Sequence, residues 1–432
     1  MKPIVASIAA GSLLAALALA QPPRYIITDL GTLQNGTFST GLIINRSGQV
    51  AGNASPADGT SHAVVWRKAV MTDLSQFAAP ELRGLNSQAF GINDAGAAAG
   101  EAESSIPDPN REDFCGFQAM GLPTLGHTCL PFVWRDSVMS PLPTLGGPNG
   151  SAATINNLGQ VVGYAENTTR DPSCPAPQQF QFRPVLWERG KAQELPIFPG
   201  DAEGIAIGIN DSGIVAGTSG SCAAFNPGSQ IYMTEAHALL WQNGTMTDLG
   251  NLGGTGAFAG NQSCAANNLG QAVGNSDLKG DTTTRAFLWQ KGVMKDLGLL
   301  PGDVASLAFN INDRGEIVGI DLDADFNLRA ILWENGVPYD LNTLVRGKTG
   351  LYLQLAESIN AEGVIAGFGQ TATGETHGFV ATPIPNSAAA VESISTTEQA
   401  VTMPLAVSER ARRLLLRHVP TGRLAARLRD MR

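Results

Sequence analysis

The segment Asn156-Asn157-Leu158-Gly159-Gln160-Val161-Val162-Gly163 decides how this chain folds, because its frame, an Asn with Gly three and seven residues later, returns seven times. The Asn positions are Asn45, Asn93, Asn156, Asn210, Asn267, Asn312 and Asn360. Each copy keeps both glycines, the first at Gly48, Gly96, Gly159, Gly213, Gly270, Gly315 and Gly363, the second at Gly52, Gly100, Gly163, Gly217, Gly274, Gly319 and Gly367. A unit of roughly 45 to 60 residues cannot bury its own apolar face and is stable only against copies of itself. The Asn-x-x-Gly core of the frame suits a type I turn with Asn first and Gly fourth.

Outward from that turn, each unit divides into four short apolar segments: an approach ending in Asn, a run to the second glycine, a run ending in Trp, and a run ending in Asp-Leu. Runs such as Ala286-Phe-Leu-Trp289 and Ala330-Ile-Leu-Trp333 are too short for helices and sit between turn signals, so they read as strands buried on both faces. Asn243-Gly244 and Asn335-Gly336, directly after the Trp run, have the sequence of a two-residue hairpin with positive φ at both centres. All six tryptophans, Trp66, Trp134, Trp187, Trp241, Trp289 and Trp333, occupy one slot, with Ala381 in the seventh copy. They read as core. Each buried ring stabilises a sheet junction by about 2 to 3 kcal/mol.

Four antiparallel strands per unit at this period predict an all-β fold, a seven-bladed β-propeller of four-stranded antiparallel blades. The chain enters the repeats with Tyr25-Ile-Ile-Thr-Asp-Leu30, a lone copy of the Asp-Leu strand, and leaves after Phe379-Val-Ala381, where that strand is missing. The N-terminal strand is therefore expected to complete the last blade and close the ring, which removes two free sheet edges.

The residues carrying this pattern, Asp248-Leu-Gly250 with Leu252-Gly-Gly254, Asn156 to Gly163, and His237-Ala-Leu-Leu-Trp241, resemble the HAF family of probable extracellular repeat proteins, over nearly all of residues 25 to 381. The resemblance implies an exported repeat protein and no established activity. Pro141 stands where the family pattern expects Asp, and Leu130 and Arg183 where it expects His.

The 432 residues, with 50 glycines and 25 prolines, accommodate one large ring with small appendages. Lys2, the apolar run through Leu13 to Leu17, and Ala18-Leu19-Ala20 predict a signal peptide over residues 1–20, cleaved before Gln21. The repeats then fill 21–385, and 386–432 form a linker and an arginine-rich tail. An exported location follows, with no transmembrane span in the mature chain and a monomer expected. The formal charge is −10, but the 25 residues from Ser408 carry eight arginines against Glu409 and Asp430, which leaves the rest near −16. That balance excludes nucleic acid as a partner of the ring. The run Arg410-Ala-Arg-Arg-Leu-Leu-Leu-Arg417 reads either as an amphipathic helix meeting an anionic surface or as a solvated extension.

Five cysteines in an exported chain invite disulfides, and none has metal-ligand spacing. Cys115 with Cys129 closes one loop, worth about 3 kcal/mol in the chain-entropy model. Cys174 and Cys222 sit in equivalent insertions of neighbouring units, while a Cys222 to Cys264 pairing is equally allowed by the sequence.

No catalytic triad or acid pair is assignable, and a slot shared by His62, His237, His377, Arg183, Arg285 and Arg329 reads as structural rather than catalytic. The units differ in their insertions. From Asn to the Trp slot, units one, five, six and seven use 21 or 22 residues, unit two uses 41, and units three and four use 31 each. All the extra residues lie between the second and third strands, on the face opposite the tight turns. The candidate binding site is this wall over the channel mouth: Asp108, Arg111, Glu112, Asp113 and Phe114, then Arg170, Asp171 and Phe180, then Phe225 and Tyr232. The alternative is loops that only pack on one another. In unit six, Asp321, Asp323, Asp325 and Asn327 alternate like the opening of a calcium loop, although Phe326 stands where such a loop has Gly. No other cofactor is expected.

The functional expectation is thus a non-catalytic binding or scaffolding module for an extracellular or envelope protein or glycan. The rivals are a polymer-acting hydrolase or lyase with acids at the channel mouth, and an envelope-attached structural protein.

Overall fold

The computed structural model describes residues 23–68, 70–174, 176–222, 233–385 and Arg412. The expected signal segment and, apart from Arg412, the tail from 386 onward lie outside the described residues. The described chain is all-β apart from three single helical turns. Units two to six each form a separate four-stranded antiparallel sheet, with strands in sequence order. Unit three is representative, running Gly150–Ile155, Val161–Arg170, Phe180–Glu188 and Lys191–Glu194. Units seven and one share an eight-stranded sheet, joined by the single parallel pair Phe38 and Thr376.

Each repeat residue has an identifiable task. In the Asn-x-x-Gly turn the Gly amide donates to the Asn carbonyl, as from Gly159 to Asn156 at 3.0 Å, and the Asn amide donates to the residue after the Gly. Gly159 has φ +78, the left-handed conformation that favours glycine. The second glycine is required for a different reason. The first strand bulges between Ala152 and Thr154, and a Cβ on Gly163 would stand 2.1 Å from the Ser151 carbonyl oxygen.

The Asn side chain serves two units at once. Asn156 Oδ1 accepts the N–H of Leu158 and Gln160, while Nδ2 donates to the Asn210 carbonyl in the next unit. The same inter-unit bond runs from Asn45 to Asn93, Asn93 to Asn156, Asn210 to Asn267, Asn267 to Asn312, Asn312 to Asn360, and Asn360 to Asn45, each between 2.8 and 3.1 Å.

The tryptophans fill the junctions as expected; Trp66, Trp187, Trp241 and Trp333 are almost wholly buried, and Trp289 is partly so. Trp66, Trp187 and Trp241 also donate Nε1–H to carbonyls of the preceding linkers, at Leu30, Pro143 and Pro196. The N-terminal strand Arg24–Asp29 pairs antiparallel with the last strand Thr376–Ile384, in register from Arg24 with Ile384 to Asp29 with Phe379. His377 Nδ1 meets Asp29 Oδ2 at 2.9 Å across that pair.

The His/Arg slot faces the Asp/Glu slot of the fourth strand in four units: His62 with Asp73, Arg183 with Glu194, Arg285 with Asp296, and His377 with Asp29. In units four and six the cation turns instead to the incoming linker or to the first and second strands. His237 pairs with Asp201, and Arg329 with Asp303 and Asp323.

Candidate functional site

The insertions of units two and three are interlocked, and that of unit three is bridged to the end of the second strand of unit four. In unit two the second and third strands, Ala98–Pro107 and His127–Arg135, carry the longest insertion. Cys115 and Cys129 are joined within it, and Cys174 of unit three is joined to Cys222 of unit four. Cys264 is free and buried, and burial, with the Glu357 charge adding, raises its thiol above the ordinary range. The alternative Cys222 to Cys264 pairing does not form.

Between units two and three lies a buried polar knot around Asn149. Its Nδ2 donates to Asp108 Oδ2 at 2.9 Å and to Glu112 Oε2 and Glu166 Oε2 at 3.0 Å, and its Oδ1 accepts the Cys129 N–H. Glu112 Oε1 accepts the Gln179 N–H and Glu166 Oε1 accepts from Gln178 Nε2, so the unit-three insertion is held by Glu112 of the unit-two insertion and by Glu166 of its own second strand. Burial raises both glutamates, and for Glu112 the neighbouring Glu166 carboxylate adds to the rise. Between units three and four, Glu203 accepts the Phe182 N–H at 2.6 Å and lies 3.7 Å from Cys174 Sγ. Burial pushes its carboxyl up to about 9.

These contacts revise the roles expected for the wall residues. Asp108, Glu112, Phe114 and Asp171 are buried and build the wall from inside rather than facing a ligand. Asp113 holds a turn through the N–H groups of Gln118 and Ala119, as Asp171 does through Ser173. Arg111 and Arg170 are exposed, and the Arg170 guanidinium lies 5.3 Å over the half-buried Phe180 ring. Phe225 and Tyr232 lie outside the described residues. Ile106 and Leu125, 55% and 50% exposed, flank the unit-two insertion and escaped the sequence reading, which weighted charged and aromatic residues.

The unit-two insertion also turns inward. Phe114, Phe117, Met120 and Leu122 share an apolar cluster with Phe38, on the first strand of unit one, and with Ile205, on the first strand of unit four. Gln88 on the first strand of unit two donates to Met120 Sδ at 3.6 Å. Apolar side chains rather than converging acids therefore meet the first strands of units one, two and four. The Glu112 and Glu166 carboxyls both accept from the same Asn149 Nδ2 and are engaged within the knot.

Glu166 belongs to a pattern visible in the sequence. Glu103, Glu166 and Asp277 each stand three residues after the second repeat glycine, and each accepts an N–H of its incoming linker, from Leu85, Asn149 and Phe258. An acid at that offset marks a buried linker clamp.

The alternating acids of unit six lie in a hairpin closed by their own side chains. Asp321 is buried and accepts the Leu300 N–H, while Asp323 accepts the N–H groups of Asp325 and Asn327. Asn327 presents its amide donor to Asp323 Oδ2, and Phe326 itself adopts the left-handed φ of +60 where a calcium loop uses glycine. Among the described residues, the His, Cys, Asp and Glu groups close enough to share an ion are Glu101 with Cys115 and Cys129, and Glu203 with Cys174 and Cys222. Both pairs of sulfurs are joined to each other. No helix among the described residues is long and apolar enough to cross a membrane.

No protein-family profile matches the chain, and no curated protein matches it significantly. Solved structures similar to it include the β-propeller domain of the trilobed protease from Pyrococcus furiosus, at 9% identity and a TM-score of 0.43, over 80% of this chain and 94% of that one. The acylaminoacyl peptidase of Pyrococcus horikoshii has 12% identity and a TM-score of 0.42, over 83% of this chain and 54% of its own length. A gluconolactonase from Xanthomonas campestris has 8% identity and a TM-score of 0.36, over 82% and 100%. The fold is β-propeller-like. At this distance the neighbours' activities carry no argument about this chain.

Proposed function

We propose that the chain is a seven-bladed propeller closed by its N-terminal strand, an exported HAF-type repeat protein that binds a partner through the outer surface of the unit-two to unit-four wall. Support for closure comes from the circle of Asn bonds, which returns from Asn360 to Asn45, and from the Asp29 to Phe379 register. The binding reading rests on one observation. The insertions of units two and three are locked to each other through Glu112, and the second is bridged by Cys174 to Cys222 of unit four, so the outer surface of these two is presented already ordered. A preorganised surface avoids the ordering cost that a flexible loop must meet on binding.

The contact residues in this reading are Ile106, Leu125, Arg111, Arg170 and Phe180, with an extracellular or envelope protein or glycan as partner. The polymer-acting hydrolase remains the second reading.

The test uses the intact chain, because excising residues 104–129 would remove the cluster around Phe117 as well as the surface. Extracytoplasmic proteins and polysaccharides are captured on the wild type and on a variant combining Ile106→Asp, Leu125→Asp, Arg111→Glu and Arg170→Glu. Ligands held by the wild type and released by the variant, with both showing the same thermal transition, support the reading. Identical capture by the two proteins rejects it.

A further inference from the structure

The tight-turn face, opposite the insertions, carries a groove of about 580 Å³ where units one, two and three meet. Its walls are Arg67 of unit one, the Asn93 to Ala97 turn and the Trp134 to Ser137 hairpin of unit two, and the Asn157 to Gly159 turn of unit three. This volume lies within the range of small-molecule sites.

Two arginines each lie against the turn of the following unit along the groove. The Arg67 guanidinium lies 5.9 Å over the Trp134 ring, and its Nη2 passes so close to Gly96 that a Cβ there would approach to 3.0 Å. Arg135, one unit further round, lies the same way against Gly159, where a Cβ would stand 3.3 Å from its Nη2. The turn glycines therefore do more than adopt positive φ, because their bare Cα atoms let each guanidinium lie along the turn of the following unit.

Among the described residues neither arginine has a carboxylate partner, whereas Arg183, Arg285, Arg314 and Arg329 are each paired with an acid. The slot after the Trp holds Arg only in units one and two; it is Glu188, Gln242, Gln290 and Glu334 in the next four. The nearby acid Asp94 is occupied, its two oxygens accepting from the Arg46 N–H and Asn157 Nδ2. Leu158, 70% exposed, adds an apolar flank. Asp136 also lines the groove, and in a chain of net charge −10 two unpaired guanidinium groups against this one acid still make the site net positive.

We propose that this groove binds a small oxyanion ligand, a carboxylate- or phosphate-bearing molecule with a compact apolar part, held by Arg67 and Arg135 and flanked by Leu158. Guanidinium forks match both anions in bidentate geometry, and the Trp134 ring under Arg67 holds that fork in place. The site is independent of the loop wall on the opposite face.

Calorimetric titration of the mature chain at low ionic strength with citrate, inorganic pyrophosphate and neutral trehalose tests it. Saturable binding of citrate or pyrophosphate, none of trehalose, and an affinity loss of at least about tenfold in both Arg67→Ala and Arg135→Ala are expected. The stronger of the two anions identifies the ligand source. Arg67→Lys keeps the charge and loses the fork, so it is expected to bind several-fold more weakly, while Lys295→Ala binds as the wild type does. Absence of saturable binding by either anion overturns the proposal. So does full affinity in the Arg67→Lys chain or in the Arg67→Ala/Arg135→Ala double variant, because diffuse surface charge would then account for binding.

Discussion

At the scale of single residues, the repeat frame is a set of solutions to local physical problems. Asn is required in the turn because one side chain must accept N–H groups from its own turn and donate to a carbonyl in the next unit; Asp lacks the donor. Asn156→Asp should remove the bond to Asn210 and set a carboxylate beside Gln160 Oε1, costing about 1 to 3 kcal/mol. Urea midpoints measure this, and an unchanged midpoint would show that the inter-unit bond does not stabilise the fold. Gly163→Ala should cost about 3 kcal/mol or more, because the added Cβ meets backbone rather than a movable side chain. A variant melting within a degree or two of the wild type would contradict the bulge geometry. These positions were legible in sequence because they recur. Arg67 was not, since the slot after the Trp that it shares with Arg135 gains meaning only from its contact with Trp134 and Gly96.

At the scale of elements, the N-terminal strand is held on the last unit partly by titrating groups. The bond to Asp29 raises His377 above its ordinary 6.5, against the opposing effect of burial. Burial acts to raise Asp29, but bonds from His377 and the Gly31 N–H outweigh it and lower the carboxyl below its ordinary 3.8. The His contribution is fully present below pH 6.5 and is lost as pH rises through the folded-state value. The Asp contribution is present above pH 3.8 and is lost as pH falls through its folded-state value. Amide exchange at Ile27 and Val380, corrected for intrinsic rates, should therefore be slowest between about pH 4 and 6.5. In Asp29→Asn the loss of protection above pH 6.5 should disappear. If the two chains lose protection alike, the latch does not depend on this pair. The strand's destination could be read beforehand, because one Asp-Leu segment was surplus at the start and one was missing at the end.

The whole molecule carries an unusual number of buried acids. Burial raises Glu112, Glu166 and Asp303, and pushes Asp277 to about 6, Asp321 to about 7, Glu357 to about 8 and Glu203 to about 9. An acid raised in the folded state is tolerated while protonated, so its contribution is lost as pH climbs from the unfolded value through the folded one. Thermal stability should therefore decline steadily from about pH 5 to 9. Glu357→Gln, which imitates the protonated side chain, should flatten part of that decline and raise the melting temperature at pH 9 while changing little at pH 5. A pH-independent melting temperature would contradict the burial of these groups.

The β-propeller-like architecture, the turns and the Trp junctions were determined by the sequence alone, because a frame repeated seven times reports the environment that every copy shares. The insertions share no environment. Whether Glu112 faced solvent or Asn149, whether Phe117 lay on the wall or turned inward, and whether Arg67 met an acid or a tryptophan depended on neighbours from other units. Side-chain direction within a loop follows from the packing around it, and that packing exists only once the sheets stand side by side.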